Sequence, residues 1–166
     1  MRNIDEIIVH CTATRPEWME ANATSAKVAE LKRWHCDPKP KGRGWSDIGY
    51  HFVVDRNGVV AEGRPLARSG AHCRGRNAHS IGVTLVGGFG SDADDQFDEH
   101  FTQDQADALV ALLNRLSIEH KISKISGHHD YANKACPGFR MDTIPGGGRT
   151  TGLLKHLKFE LEFDSF

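Results

Sequence analysis

Hydrophobic positions along this chain follow two rhythms, and the changes between them divide it into elements. Ile7-Ile-Val-His-Cys11 is a short β-branched run that predicts a buried strand, ended by the turn-rich Thr12-Ala-Thr-Arg-Pro16. Val28, Leu31 and Trp34 then recur at three-residue spacing behind Thr24 or Ser25, either of which suits a helix N-cap. Pro38, Pro40, Gly42 and Gly44 break that helix into an exposed loop. His51-Phe-Val-Val54 and Val59-Val-Ala-Glu62 flank Asp55-Arg-Asn-Gly58, and the Asn57-Gly58 pair predicts a type I′ hairpin turn. Ser80–Val86 is apolar at both parities towards its end, as in a strand covered on both faces. Thr102 and Gln105 have capping-box spacing and open a helix whose stripe is Ala106, Leu109, Val110, Leu113 and Leu116. Ile122–Ser126 reads as a short strand entering the His128-His129 loop, and Thr150–Phe159 as a last helix with a polar tail. Without internal repeats or a dividing linker, strands mixed with helices predict one α/β (mixed α+β) domain over residues 1–166.

Composition narrows the function classes. The 166 residues carry 21 Lys+Arg against 22 Asp+Glu, a net charge of −1, which argues against a nucleic-acid-binding domain. The longest obvious apolar run, Ala108–Leu113, falls far short of the roughly 20 residues of a membrane span. The N-terminus places two acids before Ile7–Val9, so no secretory signal is expected and the protein is expected to fold in the cytoplasm. There Cys11, Cys36, Cys73 and Cys136 are expected as thiols, free for metal or catalytic work.

Three segments place ligand-type residues beside structural punctuation: His10 at the end of the first strand, Gly49-Tyr-His51 at the start of the hairpin, and the loop His128–Phe139 with Cys136. A hydrolytic zinc needs three protein ligands and one open position. Two imidazoles and a thiolate meet that need and leave a net charge of about +1 to acidify water. On spacing alone, a His at a strand end reads more readily as a hydrogen-bonded structural residue, and a Cys before Pro as a buried thiol.

Taken together, Ile8-Val-His-Cys-Thr-Ala-Thr14, Gly49-Tyr-His-Phe-Val-Val54, His79-Ser-Ile-Gly-Val-Thr-Leu-Val-Gly-Gly88 and Gly127-His-His129 followed by Lys134-Ala-Cys-Pro-Gly-Phe139 resemble, in order and spacing, the zinc-dependent N-acetylmuramoyl-L-alanine amidases. The likeness is to the lysozyme-like phage branch, which shares its domain with peptidoglycan recognition proteins, and it spans about residues 4–139. It implies a central mixed β-sheet flanked by helices and one catalytic Zn2+. It also implies hydrolysis of the amide joining N-acetylmuramic acid to L-alanine in peptidoglycan by a bacteriolytic endolysin. Its zinc ligands fall on His10, His128 and Cys136, with His129 the rival to His128 because adjacent strand residues face opposite ways. Its catalytic tyrosine and lysine fall on Tyr50 and Lys134, and its groove-lining loop on His72 and Asn77 as substrate contacts, with Arg74 and Arg76 beside them. The resemblance implies action on the wall after release from the cell; a monomer is expected, and charge and apolar run lengths predict no nucleic-acid partner and no stable membrane association. Two rivals share much of the pattern: a cytosolic amidase recycling anhydro-muropeptides, and a peptidoglycan-binding module without turnover.

Overall fold

The computed structural model describes residues 1–147. The helix expected over Thr150–Phe159 therefore lies outside the described residues. Five strands form one mixed sheet: β1 (Glu6–Cys11), β2 (Phe52–Val54), β3 (Val60–Glu62), β4 (Ser80–Leu85) and β5 (Lys124–Gly127), in the order β3-β2-β4-β1-β5. β1 pairs in parallel with β4 and β5, β2 runs parallel to β4, and only the hairpin partner β3 is antiparallel. Two helices, α1 (Thr24–Cys36) and α2 (Gln103–Glu119), pack on opposite faces. Among the described residues no helix is long and apolar enough to cross a membrane.

Strand alternation decides what each face does. Ile7, Val9 and Cys11 of β1, Phe52 and Val54 of β2, and Ile81, Val83 and Leu85 of β4 join Ala106, Leu109, Leu112, Leu113 and Leu116 of α2 in the main core. The other face is unlike it. Under α1, Val53 packs with Leu31, Ile48 and Val86. Away from α1 that face turns polar: Glu6 and His10 on β1, Ser80 and Thr84 on β4 and Ser126 on β5, all buried. The register His10↔Thr84↔Val53 keeps these side chains on one surface. Buried polar atoms need partners, and Glu6, Ser126, His10 and Ser80 find theirs in one another and in the His72 ring.

Local chemistry differs from the sequence expectation in three places. Thr102 caps α2 as expected, with reciprocal bonds to Gln105. At α1, by contrast, Ala23 occupies the N-cap and Thr24 lies inside the helix, its hydroxyl donating to Asp55 at 2.6 Å. The Lys27 ammonium reaches the same carboxylate at 2.7 Å, and a buried charge draws such donors first. In the hairpin only Gly58 takes a positive φ, +84°. Asn57 uses its side chain to accept the Val59 N–H, and Gly58 N–H closes onto the Asp55 carbonyl, so the turn is not type I′. The last strand is shifted to Lys124–Gly127, because the Ser123 and Lys124 amides bond the Asp5 carbonyl.

Candidate metal centre and groove

His10 stands on the polar face near the end of β1, 1% exposed. β5 ends at Gly127, paired with Val9, and the chain turns immediately into a 3-10 turn over His128–Asp130. That turn sets His128 beside His10, ring centroids 4.6 Å apart. The expectation that His128 and His129 face apart on a strand is replaced by a 3-10 turn, where successive side chains diverge by about 120°. The outcome is the same: His128 faces the cluster, while His129 lies 3.7 Å from Asp130 and lines a separate cavity. Cys136 returns on the same loop, which the His129 N–H closes onto the Cys136 carbonyl. Its sulfur lies 3.7 Å from His10 Nδ1 and accepts the Cys11 backbone N–H at 3.3 Å.

His10, His128 and Cys136 thus bring one ligand atom each to within 4.8 Å of one another. Burial, then the neighbouring His72, His128 and Lys134, holds His10 far below the usual imidazole value; burial and then Lys134 lower His128. Both rings are therefore neutral bases with a lone pair to offer. The neighbouring Cys11 thiol and burial push Cys136 upwards. A divalent cation reverses that sign, since a coordinated thiol ionises outright. Two neutral imidazoles and one thiol drawn from segments 126 residues apart make a donor set that fits a divalent metal.

Tyr50 reaches the same place from the loop before β2, its ring 5.2 Å from that of His10. The preceding Gly49 is required by close packing: a Cβ there would lie 2.4 Å from the Ala71 carbonyl oxygen. Burial, then Cys136 and Cys11, raise the Tyr50 phenol, so it keeps its proton. Lys134 lies exposed on the rim of the loop and lines, with Tyr50, His128 and Cys136, a groove of about 800 Å³. His35, Arg43 and Trp45 line one side of it; Arg74, Asn77 and Tyr131 line another.

His72 and Asn77 both border this groove, and both are engaged from within. Asn77 Oδ1 accepts the backbone N–H groups of His72 and Cys73 at 2.9 and 3.0 Å. His72 is 8% exposed, with one ring nitrogen against His10 and the other against Ser80. Arg76 stacks on the Tyr131 ring at 4.1 Å, leaving Arg74 as the groove arginine of that loop. His51 and His79 are structural: His51 accepts the Gly82 N–H, and His79 bonds the Asn3 carbonyl. All four cysteines are free.

Sequence reasoning missed a second polar knot beside the cluster. The buried Glu6 carboxylate accepts Ser126 Oγ at 2.7 Å and the Tyr131 hydroxyl, pinning the 128–136 loop to β1. Its one sequence trace is an acid immediately before the β-branched run Ile7–Val9.

Known proteins share this chain's sequence pattern and fold. The profile of the N-acetylmuramoyl-L-alanine amidase family matches residues 1–139. The endolysin of Enterobacteria phage T3 is 42% identical over 135 residues, 81% of each chain, and that of Escherichia phage T7 is 41% identical over the same share. Among solved structures, the N-acetylmuramoyl-L-alanine amidase LysC of Clostridium intestinale URNW superposes with a TM-score of 0.63 at 28% identity, covering 97% of this chain and 87% of that one. A complex of the peptidoglycan recognition proteins LCa and LCx with tracheal cytotoxin gives 0.66 at 28% identity over 83% and 78%.

Proposed function

The chain belongs to the N-acetylmuramoyl-L-alanine amidase family, and from that premise we propose that it is a zinc-dependent endolysin of phage or prophage origin, cleaving the amide between N-acetylmuramic acid and L-alanine in the bacterial wall. The observation that carries this reading is the meeting of the buried His10 with His128 and Cys136, which line a groove that also holds Tyr50 and Lys134. Those three residues would hold the zinc. When bound, the ion supplies Lewis-acid polarisation of the amide carbonyl and brings the pKa of a water towards about 7.

The chain's own groups do the rest. The Tyr50 phenol, protonated at neutral pH, donates to the carbonyl oxygen as it gains charge. The Lys134 ammonium, on the exposed rim of the same groove, adds positive charge to that oxyanion. Arg43 and Arg74 line the groove as further cations, suited to the carboxylates of a stem peptide. Such an enzyme acts on the wall once the cell membrane is breached.

The test is to incubate the purified chain with wall sacculi, with and without chelator. New free N-terminal alanine, no new reducing sugar ends, loss with chelator and recovery with zinc are expected. Reducing ends, or no release at all, overturns the reading; activity on soluble anhydro-muropeptides alone makes the chain a recycling amidase instead.

A further inference from the structure

His72 occupies a socket made for its ring. On the polar face of β4 a Cβ at Gly82 would lie 2.5 Å from His72 Cγ and 2.6 Å from Cδ2, and one at Gly70 would lie 2.6 Å from Cδ2. Neither glycine has a positive φ, so neither is there for its backbone. Each clears space for an imidazole. Asn77 fixes the same residue from behind through the His72 N–H.

The ring nitrogens then form a chain. His10 Nε2 lies 2.9 Å from His72 Nδ1, and His72 Nε2 lies 3.2 Å from Ser80 Oγ, all three residues buried. His10 Nδ1 is the nitrogen that faces the Cys136 sulfur. A neutral imidazole has one N–H. If Nδ1 is to offer its lone pair to a cation, the proton of His10 sits on Nε2 and is donated to His72 Nδ1. His72 must then carry its own proton on Nε2, where Ser80 Oγ accepts it.

We propose that His72 is a positioning residue that fixes the tautomer and ring plane of His10. This rests on the metal reading above, and it follows the general pattern in which a ligating histidine gives its second N–H to a fixed partner. The chain His10–His72–Ser80 runs across the sheet face from β1 to β4, so the strand pairing itself sets the ligand.

The test compares His72→Asn with His72→Leu, side chains of near-equal shape that differ in the acceptor. The full chain is stripped of metal and titrated with zinc against a chromophoric chelator. His72→Leu weakens zinc binding about 10- to 100-fold, and His72→Asn stays within a few-fold of the parent. Imidazole ¹H–¹⁵N spectra of the metal-free protein give a readout that a merely structural role would not move. The parent shows a fixed Nε2–H form of His10, and the leucine variant shows a tautomer mixture. Zinc binding by His72→Leu equal to the parent overturns the proposal, as does equal loss in both variants. Should the leucine variant not fold, Ser80→Ala carries the test, because it frees the His72 tautomer; an unchanged His72 signature overturns the proposal. A parent that binds no zinc refutes the metal reading itself, a different result from any of these.

Discussion

Gly82→Ala adds one methyl group to the floor beneath His72, and the structure predicts its effect with opposing contributions. The φ of Gly82 is ordinary, so the backbone change alone stabilises by roughly 0.5–1 kcal/mol. The new Cβ, however, stands 2.5 Å from His72 Cγ, roughly 1 Å inside ordinary carbon contact. Cγ is the root of the ring, so the imidazole cannot pivot away without changing χ1. Gly70 on one side and the His51 ring, 5.9 Å between centroids, on another leave no space for that swing. Overpacking of this kind costs about 1–3 kcal/mol, and losing the 2.9 Å contact to His10 adds about 0.5–1.5 kcal/mol. The clash outweighs the backbone gain, for a net loss of about 1–3 kcal/mol and a fall in Tm of about 3–10 °C at this chain length. Thermal unfolding of metal-free protein followed by circular dichroism, with zinc affinity measured on the same samples, checks both halves. A variant as stable as the parent with unchanged zinc affinity would refute the socket argument.

Three further outcomes are expected. Tyr50→Phe keeps zinc affinity but lowers kcat on a muropeptide about 10²- to 10³-fold; loss of both together would make Tyr50 a structural support for the centre. Lys27→Met leaves the buried Asp55 without its 2.7 Å partner and destabilises by about 3–5 kcal/mol, read as a shifted urea midpoint, whereas a loss under 1 kcal/mol contradicts a buried ion pair. Burial holds His35 and His51 down to about 4, against about 6.5 in the unfolded chain. The unfolded state therefore binds the protons first. Stability from these two rings is full above pH 6.5, falls as pH drops towards about 4, and levels off below. Denaturant midpoints at pH 7.5, 5.5 and 4.5 follow that decline, and a flat profile would contradict it.

The sequence was legible wherever local pattern and long-range packing agree. Thr102 with Gln105 and the Leu109, Leu113, Leu116 stripe specify α2 without reference to the rest of the chain. The β-branched run of β1 likewise announces a buried strand. The cluster was legible through four ordered motifs, since nothing in local spacing brings His10 to Cys136 across 126 positions. What stayed hidden depends on partners distant in sequence. Thr24 looked like a cap until Asp55, 31 residues on, claimed its hydroxyl. Asn57-Gly58 reads as a two-residue turn, but the Asn57 side chain was free to serve the Val59 amide instead. Glu6, Ser126 and Tyr131 show no motif, because their bond crosses from β1 to β5 and the loop beyond. His72 was visible as a groove residue; its neighbours at Gly70, Gly82 and His10 exist only once β1 and β4 pair.

The central claim, that two imidazoles and one thiolate hold a divalent ion with a position left open, is tested most directly by X-ray absorption at the zinc edge of the loaded protein. One sulfur at about 2.3 Å and two nitrogens at about 2.0–2.1 Å, with a fourth light atom that an added small anion exchanges, are predicted. A shell without sulfur, or four protein ligands that no added anion displaces, would contradict it.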